Sequence, residues 1–321
     1  MAPDVTLSPD GDPVPAQAPR ATAPARPLLI QPDMSWATTL LAATSERLRG
    51  PVPAVLASLA RSGELPTLPA AAAAALAIVR DPEADAADLC EVIRTDIGLS
   101  ARIVRVANSV AYGRRRPAKT LADAVFTVGV RKTCDLLVAA AVRQLYVRPH
   151  PRAGALWQHA LAVATAAEEL AAVTQQVTPA TAFLPGLFHD VGRIAFLVAD
   201  AAGLDAVESR YVGGEGDRIA LELAQFGVDH TEAGAILAED WGLSAVQADA
   251  IRHHHAPEDA GDGAALASIL RAADALAHEL GFGSVAGNEL APAAMGLSPD
   301  AAAFCRERVR HAFEIQNALL S

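Results

Sequence analysis

Apolar residues recur at the spacing of an α-helix through most of this chain, and nowhere do they alternate convincingly with the period of two that marks a half-buried β-strand. Leu99, Ile103 and Val106, for example, share one helical face. Short polar segments separate the apolar stretches, and one of them, Asp85 followed by Asp88, has the pattern of an N-terminal helix cap. The sequence therefore predicts an all-α fold built from a series of short helices.

The length and composition allow a substantial hydrophobic core, because the chain has 321 residues of which 52% are apolar. Residues 1–32 are rich in Pro, Ala and Asp without apolar periodicity, which predicts a disordered tail. We expect one helical half over residues 33–150, a second over 151–282, and a C-terminal helical extension over 283–321. Ser298-Pro299 is a good helix start in that extension.

The cysteines and the apolar runs bear on where the protein resides. Cys90, Cys134 and Cys305 lie far apart and are odd in number, which argues for a reducing compartment rather than a disulfide framework. The longest apolar run, Leu68 to Val79, is much shorter than the roughly 20 residues that span a bilayer. The amino terminus also lacks the pattern of a signal peptide. We therefore expect a cytoplasmic protein that does not enter the membrane.

The charge is unevenly distributed along the chain. The net charge is -11, but residues 1–150 carry 17 basic and 14 acidic side chains, whereas the remainder carries 9 and 23. No helix-turn-helix or zinc module is evident, so nucleic acid is not an expected partner. Basic residues in the first half, together with one asparagine, suggest a surface for an anion or a partner protein: Arg102, Arg105, Asn108, Arg114, Arg115 and Arg116. The alternative is a solvated face in which Asn108 and Ser109 end a helix.

Six histidine and aspartate residues in the second half have the chemistry of a metal site: His159, His189, Asp190, His230, His254 and Asp274. Imidazole nitrogens and carboxylate oxygens suit Fe, Mn, Zn or Mg, between which the sequence does not distinguish. One or two divalent ions would polarise a phosphoryl oxygen and lower the pKa of a bound water. Asp190 could bridge two such ions.

Local context favours burial of several of these residues. His159 shares a helical face with Leu156 and Val163. Asp274 lies among small apolar residues, where a carboxylate costs free energy unless it is paired or bound to a metal. We expect the helix that starts at Thr178 or Pro179 to run through the adjacent His189 and Asp190, whose side chains would project about 100° apart.

Each of these histidines also has a simpler interpretation. A single histidine on an apolar helix face is more often a hydrogen-bonded core residue than a metal ligand. The run His253-His254-His255 has the composition of a solvated helix end, where imidazolium suits the helix dipole. The metal interpretation therefore rests on the whole set rather than on any one member.

The order His, His-Asp, His, His-His and Asp resembles the HD superfamily of metal-dependent phosphohydrolases. Other segments resemble the HDOD family, an HD-related output domain: Leu65-Pro66-Thr67-Leu68-Pro69, Ile93-Arg94-Thr95-Asp96-Ile97-Gly98-Leu99, Val106-Ala107-Asn108-Ser109-Val110-Ala111-Tyr112-Gly113, Gly186-Leu187-Phe188-His189-Asp190-Val191-Gly192-Arg193 and Ile251-Arg252-His253-His254-His255-Ala256-Pro257. The resemblance covers about residues 60 to 282. It implies a helical bundle in which an N-terminal helical half packs on an HD-like half, and a role in bacterial signal transduction, often without demonstrated catalysis.

The resemblance also implies roles for individual residues. His159, His189, Asp190 and Asp274 match the core ligand positions of the HD superfamily. His230 and one of His254 or His255 match the positions that hold a second metal, and the sequence leaves open which of the two histidines is the ligand. Asp190 and Arg193 match the positions of catalytic residues.

The sequence departs in two places from the cyclic-di-GMP phosphodiesterases of the HD superfamily that it resembles, and both departures argue against hydrolysis of cyclic-di-GMP. A Gly-Tyr-Pro motif follows the paired histidines in those relatives, whereas this chain has Ala256-Pro257. The relatives carry Lys three positions after the His-Asp pair, where this chain has Arg193. An arginine can hold a phosphate with two hydrogen bonds, but it does not readily donate a proton.

These observations predict two functions of different kinds. The first is a cytoplasmic signalling module that binds a protein partner or a ligand and retains a metal site. The second is an active metal-dependent phosphohydrolase on a nucleotide-type substrate, in which Arg193 orients the substrate phosphate. A third and remote function is di-iron oxygenation, because related HD sites support redox chemistry. The sequence leaves open a nucleotide or phosphate ligand and association into homo-oligomers.

Overall fold

Helices make up 77% of the part of the chain that the computed structural model describes, namely residues 68–81, 84–109, 116–283 and 296–320. These residues contain no β-strand, so the predicted all-α class is confirmed. The proposed tail over residues 1–32, the segment Leu65-Pro66-Thr67 and Arg114 and Arg115 lie outside the described residues.

The described residues of the first half form five α-helices, which are α1 (Ala70–Arg80), α2 (Ala86–Arg94), α3 (Ile97–Ala107), α4 (Leu121–Val128) and α5 (Val130–Val142). The second half contributes eight, which are α6 (Pro151–Thr174), α7 (Pro179–Phe188), α8 (Val191–Ala199), α9 (Ala201–Val212), α10 (Arg218–Phe226), α11 (His230–Asp240), α12 (Ala245–Arg252) and α13 (Ala264–Glu279). The last helix is α14 (Pro299–Leu320). Short 3-10 turns cover Arg143–Tyr146 and Pro257–Asp259.

Side-chain caps fix where several of these helices begin. The Asp85 carboxylate accepts hydrogen bonds from the backbone of α2 while Asp88 accepts one from the Asp85 backbone, which confirms the predicted cap. Thr120 and Asp123 form the same reciprocal arrangement at the start of α4. The final helix begins at Pro299, as the sequence predicted. These hydrogen bonds satisfy backbone donors that have no partner within the helix.

The 24-residue helix α6 is the centre of the second half, since α7, α13 and α14 all pack against it. In the first half α1 packs on α5, which in turn contacts α7 of the second half. The predicted packing of one helical half on the other is therefore present. Helix α14 contacts both α6 and α3, so the C-terminal extension rests on both halves.

One segment, Pro179–Ala199, has the length and mean hydropathy of a helix that could cross a membrane. It comprises α7, α8 and the turn between them, and 89% of its most apolar 18-residue window is buried inside the protein. Phe183, Phe188 and Phe196 are among its fully buried side chains. A core helix pair of a globular fold has the same composition, so this segment is accounted for by packing within the chain.

Candidate metal centre

Five separate parts of the second half place the predicted ligands in one buried region. His159 lies on α6, and His189 and Asp190 form the link between α7 and α8. His230 is the first residue of α11. His254 follows α12, and Asp274 lies on α13. The structure thus brings together all six side chains that the sequence singled out, although their role as metal ligands stays a prediction.

The His-Asp pair does not lie inside a continuous helix, so that expectation was wrong. Helix α7 ends at Phe188 and α8 begins at Val191, with a turn over the pair. The turn brings His189 Nε2 to 3.6 Å from Asp190 Oδ1. Successive residues of a regular helix would project about 100° apart. The break therefore directs both side chains toward the same centre, and tertiary packing overrides the helical preference of the apolar sequence around it.

The first group of side chains surrounds His159. Its Nε2 atom lies 3.2 Å from His189 Nε2 and 3.1 Å from Asp274 Oδ1. Asp190 Oδ2 is 3.7 Å from the same nitrogen. Two ligand atoms that share one ion at about 2.1 Å each, and at right angles, lie about 3 Å apart. The spacing of this group therefore fits a common divalent ion.

The second group surrounds His230. Its Nε2 atom lies 3.2 Å from Asp190 Oδ1 and 3.1 Å from His255 Nε2. The ring of His254 is 5.5 Å from that of His230, centroid to centroid. Both His254 and His255 thus adjoin this group. The geometry does not decide which of them is the ligand, a question that the sequence also left open. Asp190 contacts both groups, as a bridging carboxylate would.

The Nδ1 atoms of four imidazoles are engaged away from the centre. His159, His189 and His254 donate through Nδ1 to the backbone carbonyls of Phe282, Gly186 and Ile251 at 2.5, 2.8 and 2.7 Å. His230 Nδ1 donates to the Glu222 carboxylate at 2.6 Å. A proton held at Nδ1 leaves the lone pair on Nε2, which is the tautomer that coordinates a metal.

Among the described candidate ligands, His254 Nε2 and Asp274 Oδ1 have no hydrogen-bond partner. Buried polar atoms almost always have a partner, because losing water without compensation costs free energy. The Nε2 lone pairs of His159 and His189, which face one another at 3.2 Å, also repel. A bound cation would satisfy the orphaned atoms and remove the repulsion, so the donor set fits a metal ion.

The protonation states also suit a metal. Burial lowers the pKa of His189 to about 3 and lowers the pKa of His254, so both are neutral at neutral pH. Burial alone would raise the pKa of Asp190, but its interactions with the neighbouring His189 and with the charged Arg193 outweigh burial and hold that pKa well below its usual value. Neutral imidazoles and an ionised carboxylate are the forms that bind a cation.

Arg193 is held between two buried carboxylates. Its terminal nitrogens donate to Asp190 Oδ2 and to Glu208 Oε1, each at 2.7 Å. Only 6% of Arg193 is exposed. Glu208 is completely buried and also pairs with Arg218 at 3.1 Å. Arg193 thus orients Asp190, and it lines a cleft of about 120 Å³ beside the centre together with His159 and His278.

Three contributors to the centre were not predicted from the sequence: Glu208, Glu222 and His278. Glu222 is a carboxylate inside the apolar stretch of α10, which is the signal that identified Asp274, and it could have been found in the same way. His278 follows Asp274 by one helical turn, and its Nδ1 atom donates to the Asp274 backbone carbonyl at 2.9 Å while lying 3.0 Å from the Asp274 carboxylate. Glu208 has no comparable sequence signal, because its partners come from other helices.

The predicted anion or partner surface is only partly described. Asn108 is engaged structurally, since its amide donates to the Ala118 carbonyl at 3.1 Å and its oxygen accepts from the Ala118 backbone at 2.6 Å. This agrees with the interpretation of Asn108 as part of a helix end. Arg102, Arg105 and Arg116 are partly or fully exposed, and their role in binding a partner stays a prediction.

Comparison with known proteins places this geometry in a family. The family model of the HDOD domain matches residues 65–257, which is more than half of the chain. An uncharacterized protein of Treponema pallidum is 26% identical over 204 residues. That alignment covers 62% of this chain but only 40% of the relative.

Solved structures share the fold. An HDOD domain protein of unknown function from Geobacter sulfurreducens superposes with a TM-score of 0.66 at 22% identity, covering 89% of this chain and 96% of the other. A protein from Shewanella amazonensis, described as a candidate phosphohydrolase, gives a TM-score of 0.64 at 24% identity, with 84% and 99% coverage. A candidate signal transduction protein from Marinobacter aquaeolei gives 0.66 at 23% identity, with 89% and 65% coverage. With the family match over residues 65–257, the chain belongs to the HDOD family.

Proposed function

We propose that this protein is a bacterial, cytoplasmic signal-transduction module of the HDOD family whose second half holds one or two divalent metal ions. The observation that carries the proposal is the convergence of Nε2 atoms from His159, His189 and His230 on Asp190, with the Nδ1 atom of each imidazole engaged elsewhere. A bundle that needed these histidines only for packing would not leave buried lone pairs facing one another.

The residues divide between two positions. His159, His189, Asp190 and Asp274 would hold one ion, and His230 with His254 or His255 would hold a second, with Asp190 shared. A bound divalent ion supplies Lewis acidity toward a phosphoryl oxygen and lowers the pKa of a bound water. Arg193 orients the Asp190 carboxylate, and Glu222 holds His230 in its metal-binding tautomer.

The binding role is favoured over turnover of a large nucleotide by the size of the cleft beside the centre. A volume of about 120 Å³ is below the range of about 300–1,000 Å³ that encloses most organic ligands. The regulatory role would be exercised through a protein partner, for which the exposed basic residues of the first half, including Arg102 and Arg105, are the candidate surface.

The second candidate function is metal-dependent phosphohydrolysis, and the complete ligand set favours it. An assay of the full chain distinguishes the binding role from phosphohydrolysis. It uses p-nitrophenyl phosphate and bis(p-nitrophenyl) phosphate as substrates in the presence of Mn²⁺, Fe²⁺, Zn²⁺ or Mg²⁺. The proposal expects metal binding without turnover above the Asp190→Ala background. Turnover that requires the metal and disappears in Asp190→Ala would replace the binding role with the enzymatic one.

A further inference from the structure

A cavity separate from the metal centre lies where α1 and α5 of the first half meet α7, α12 and α13 of the second. Its volume is about 400 Å³, which falls in the range of about 300–1,000 Å³ that small-molecule sites occupy. Most of its lining is apolar, and Leu76, Leu184 and Leu266 in it are almost completely buried. Such a lining favours the apolar part of a ligand.

The charged groups in the lining are Arg80, Arg131 and Asp262. Arg80 donates through Nη2 to the Trp241 backbone carbonyl at 3.1 Å. The approach depends on Gly242, which has φ +84° and where a Cβ atom would lie 1.9 Å from Arg80 Nη2. The chain therefore places a cation at this cavity through a backbone contact that a larger residue at 242 would block.

Arg131 is the second cation. Its Nε atom is buried without a hydrogen-bond partner, and the carboxylate nearest to it, Asp135 Oδ1, lies 3.4 Å away. Burial raises the pKa of Asp135 to about 7, which weakens it as a counterion near neutral pH. Asp262 and Arg80 are both exposed, so water and salt screen their charges, whereas Arg131 is half-buried. The cavity thus combines apolar walls with a net cationic rim.

We propose that this cavity binds a small anionic amphiphile, with its apolar body against the leucines and its carboxylate between Arg80 and Arg131. A carboxylate gains ion-pair attraction as well as charge-assisted hydrogen bonds from the two guanidinium groups, whereas a neutral hydroxyl gains only hydrogen bonds and an ammonium group is repelled. The occupant would pack on α7, α12 and α13. Helix α7 ends next to His189, α12 ends shortly before His254, and α13 carries Asp274. The site is therefore suited to a regulatory ligand of the signalling module.

The test uses octanoate as the probe on the full chain, with 1-octanol and octylamine as matched neutral and cationic compounds. Isothermal titration calorimetry should give saturable, one-to-one binding of octanoate, about tenfold or more tighter than that of 1-octanol. In the unmutated protein, methyl resonances of Leu184, Leu243 and Leu266 should shift on addition of octanoate. Equal affinity for octanoate and 1-octanol, or an absence of saturable binding, would overturn the proposal.

Variants locate the site. Ala265 is an exposed residue of the lining, so Ala265→Trp should obstruct the cavity without disturbing the core and should weaken octanoate binding about tenfold or more. Arg80→Met and the double variant Arg131→Met with Asp135→Asn, which removes the ion pair without leaving a buried charge, should do the same. Arg271→Met is the matched control, because Arg271 is partly exposed and lies outside the lining. Unchanged octanoate affinity in Ala265→Trp would place the binding elsewhere.

Discussion

Buried carboxylates set the chemistry of the histidines at the centre. Glu222 is completely buried and accepts two hydrogen bonds from His230, one from the backbone at 2.8 Å and one from Nδ1 at 2.6 Å. Burial alone would lower the pKa of His230, but the Glu222 carboxylate outweighs it and raises that pKa. Glu222 therefore makes this imidazole a stronger base, and with it a stronger ligand.

Replacing Glu222 by Gln should weaken divalent metal binding about 10- to 100-fold, the usual effect of losing a carboxylate behind a ligating imidazole. The glutamine oxygen can still accept a hydrogen bond, so the fold should be retained. Zn²⁺ affinity measured by competition with a chelator checks this, and Glu258→Gln on the exposed surface serves as the control. Equal affinities in the two variants would show that Glu222 does not support a metal ligand.

Arg193 should be essential to stability because it neutralises two buried acids. Arg193→Met leaves Asp190 and Glu208 with one fewer cation and should reduce the free energy of unfolding by about 3–5 kcal/mol. Arg94→Met breaks an exposed ion pair with Glu91 and should cost less than about 1 kcal/mol. Urea unfolding of the two variants beside the unmodified chain compares them, and similar losses would contradict the role given to Arg193.

Asp135 predicts a specific dependence of stability on pH. Its pKa rises from 3.8 to about 7 on folding, chiefly through burial. The unfolded chain therefore loses this proton at a lower pH than the folded chain, and stability falls as pH rises from about 4 to 7. Asp135→Asn removes this loss and should stabilise the protein at pH 8 by on the order of 1–4 kcal/mol, with little effect near pH 4. A stabilisation that does not vary with pH would be inconsistent with a buried Asp135 carboxyl whose pKa is raised.

At the level of the elements, the close approach of α8 to α11 brings His230 beside Asp190. A Cβ atom at Gly192 would lie 2.2 Å from the His230 carbonyl oxygen. Gly192→Ala should therefore separate the two helices, reduce the free energy of unfolding by about 1–3 kcal/mol and weaken metal binding. Gly154 lies in α6 with no atom within 4 Å of the corresponding Cβ position. Gly154→Ala should stabilise the protein by about 0.5–1 kcal/mol.

Thermal unfolding and chelator competition on this pair of glycine variants separate close packing from helix propensity. Both substitutions add a methyl group to a helix. If one lowers the free energy of unfolding and the other raises it, the difference arises from the backbone that neighbours Gly192. If Gly192→Ala were as stable as Gly154→Ala and bound metal as tightly as the unmodified chain, the close contact between α8 and α11 would not be needed to assemble the centre.

Helix boundaries were predictable where a local signal marks them. Asp85, Thr120 and Pro299 sit at the starts of α2, α4 and α14, because caps and proline act within one turn of the chain. The break at His189 and Asp190 was not predicted, because no capping side chain marks it, although Pro185, Gly186 and Gly192 lie within one turn of it. It results from contacts with α6 and α11, which lie far away along the chain.

For the whole molecule, the set of candidate ligands was predictable from residue type and order. The residues that hold those ligands in place were not predictable in this way. His159 and Asp274 stood out as polar residues on apolar helix faces. The partners Glu208 and Glu222 depend on which helices meet, since each carboxylate serves a residue of a different element. Side chains that act through tertiary contact leave little trace in a single sequence.

The central claim is that the assembled centre binds divalent metal. The direct measurement is the metal content of the freshly purified full chain beside Asp190→Ala, by elemental mass spectrometry, with Glu258→Gln as a matched acidic control. Fe, Mn or Zn near stoichiometry in the unmodified chain and the control, and its loss in Asp190→Ala, is the expected result. No bound metal in any of the three, even after reconstitution with Fe²⁺, Mn²⁺, Zn²⁺ and Mg²⁺, would contradict the account and make the histidines structural.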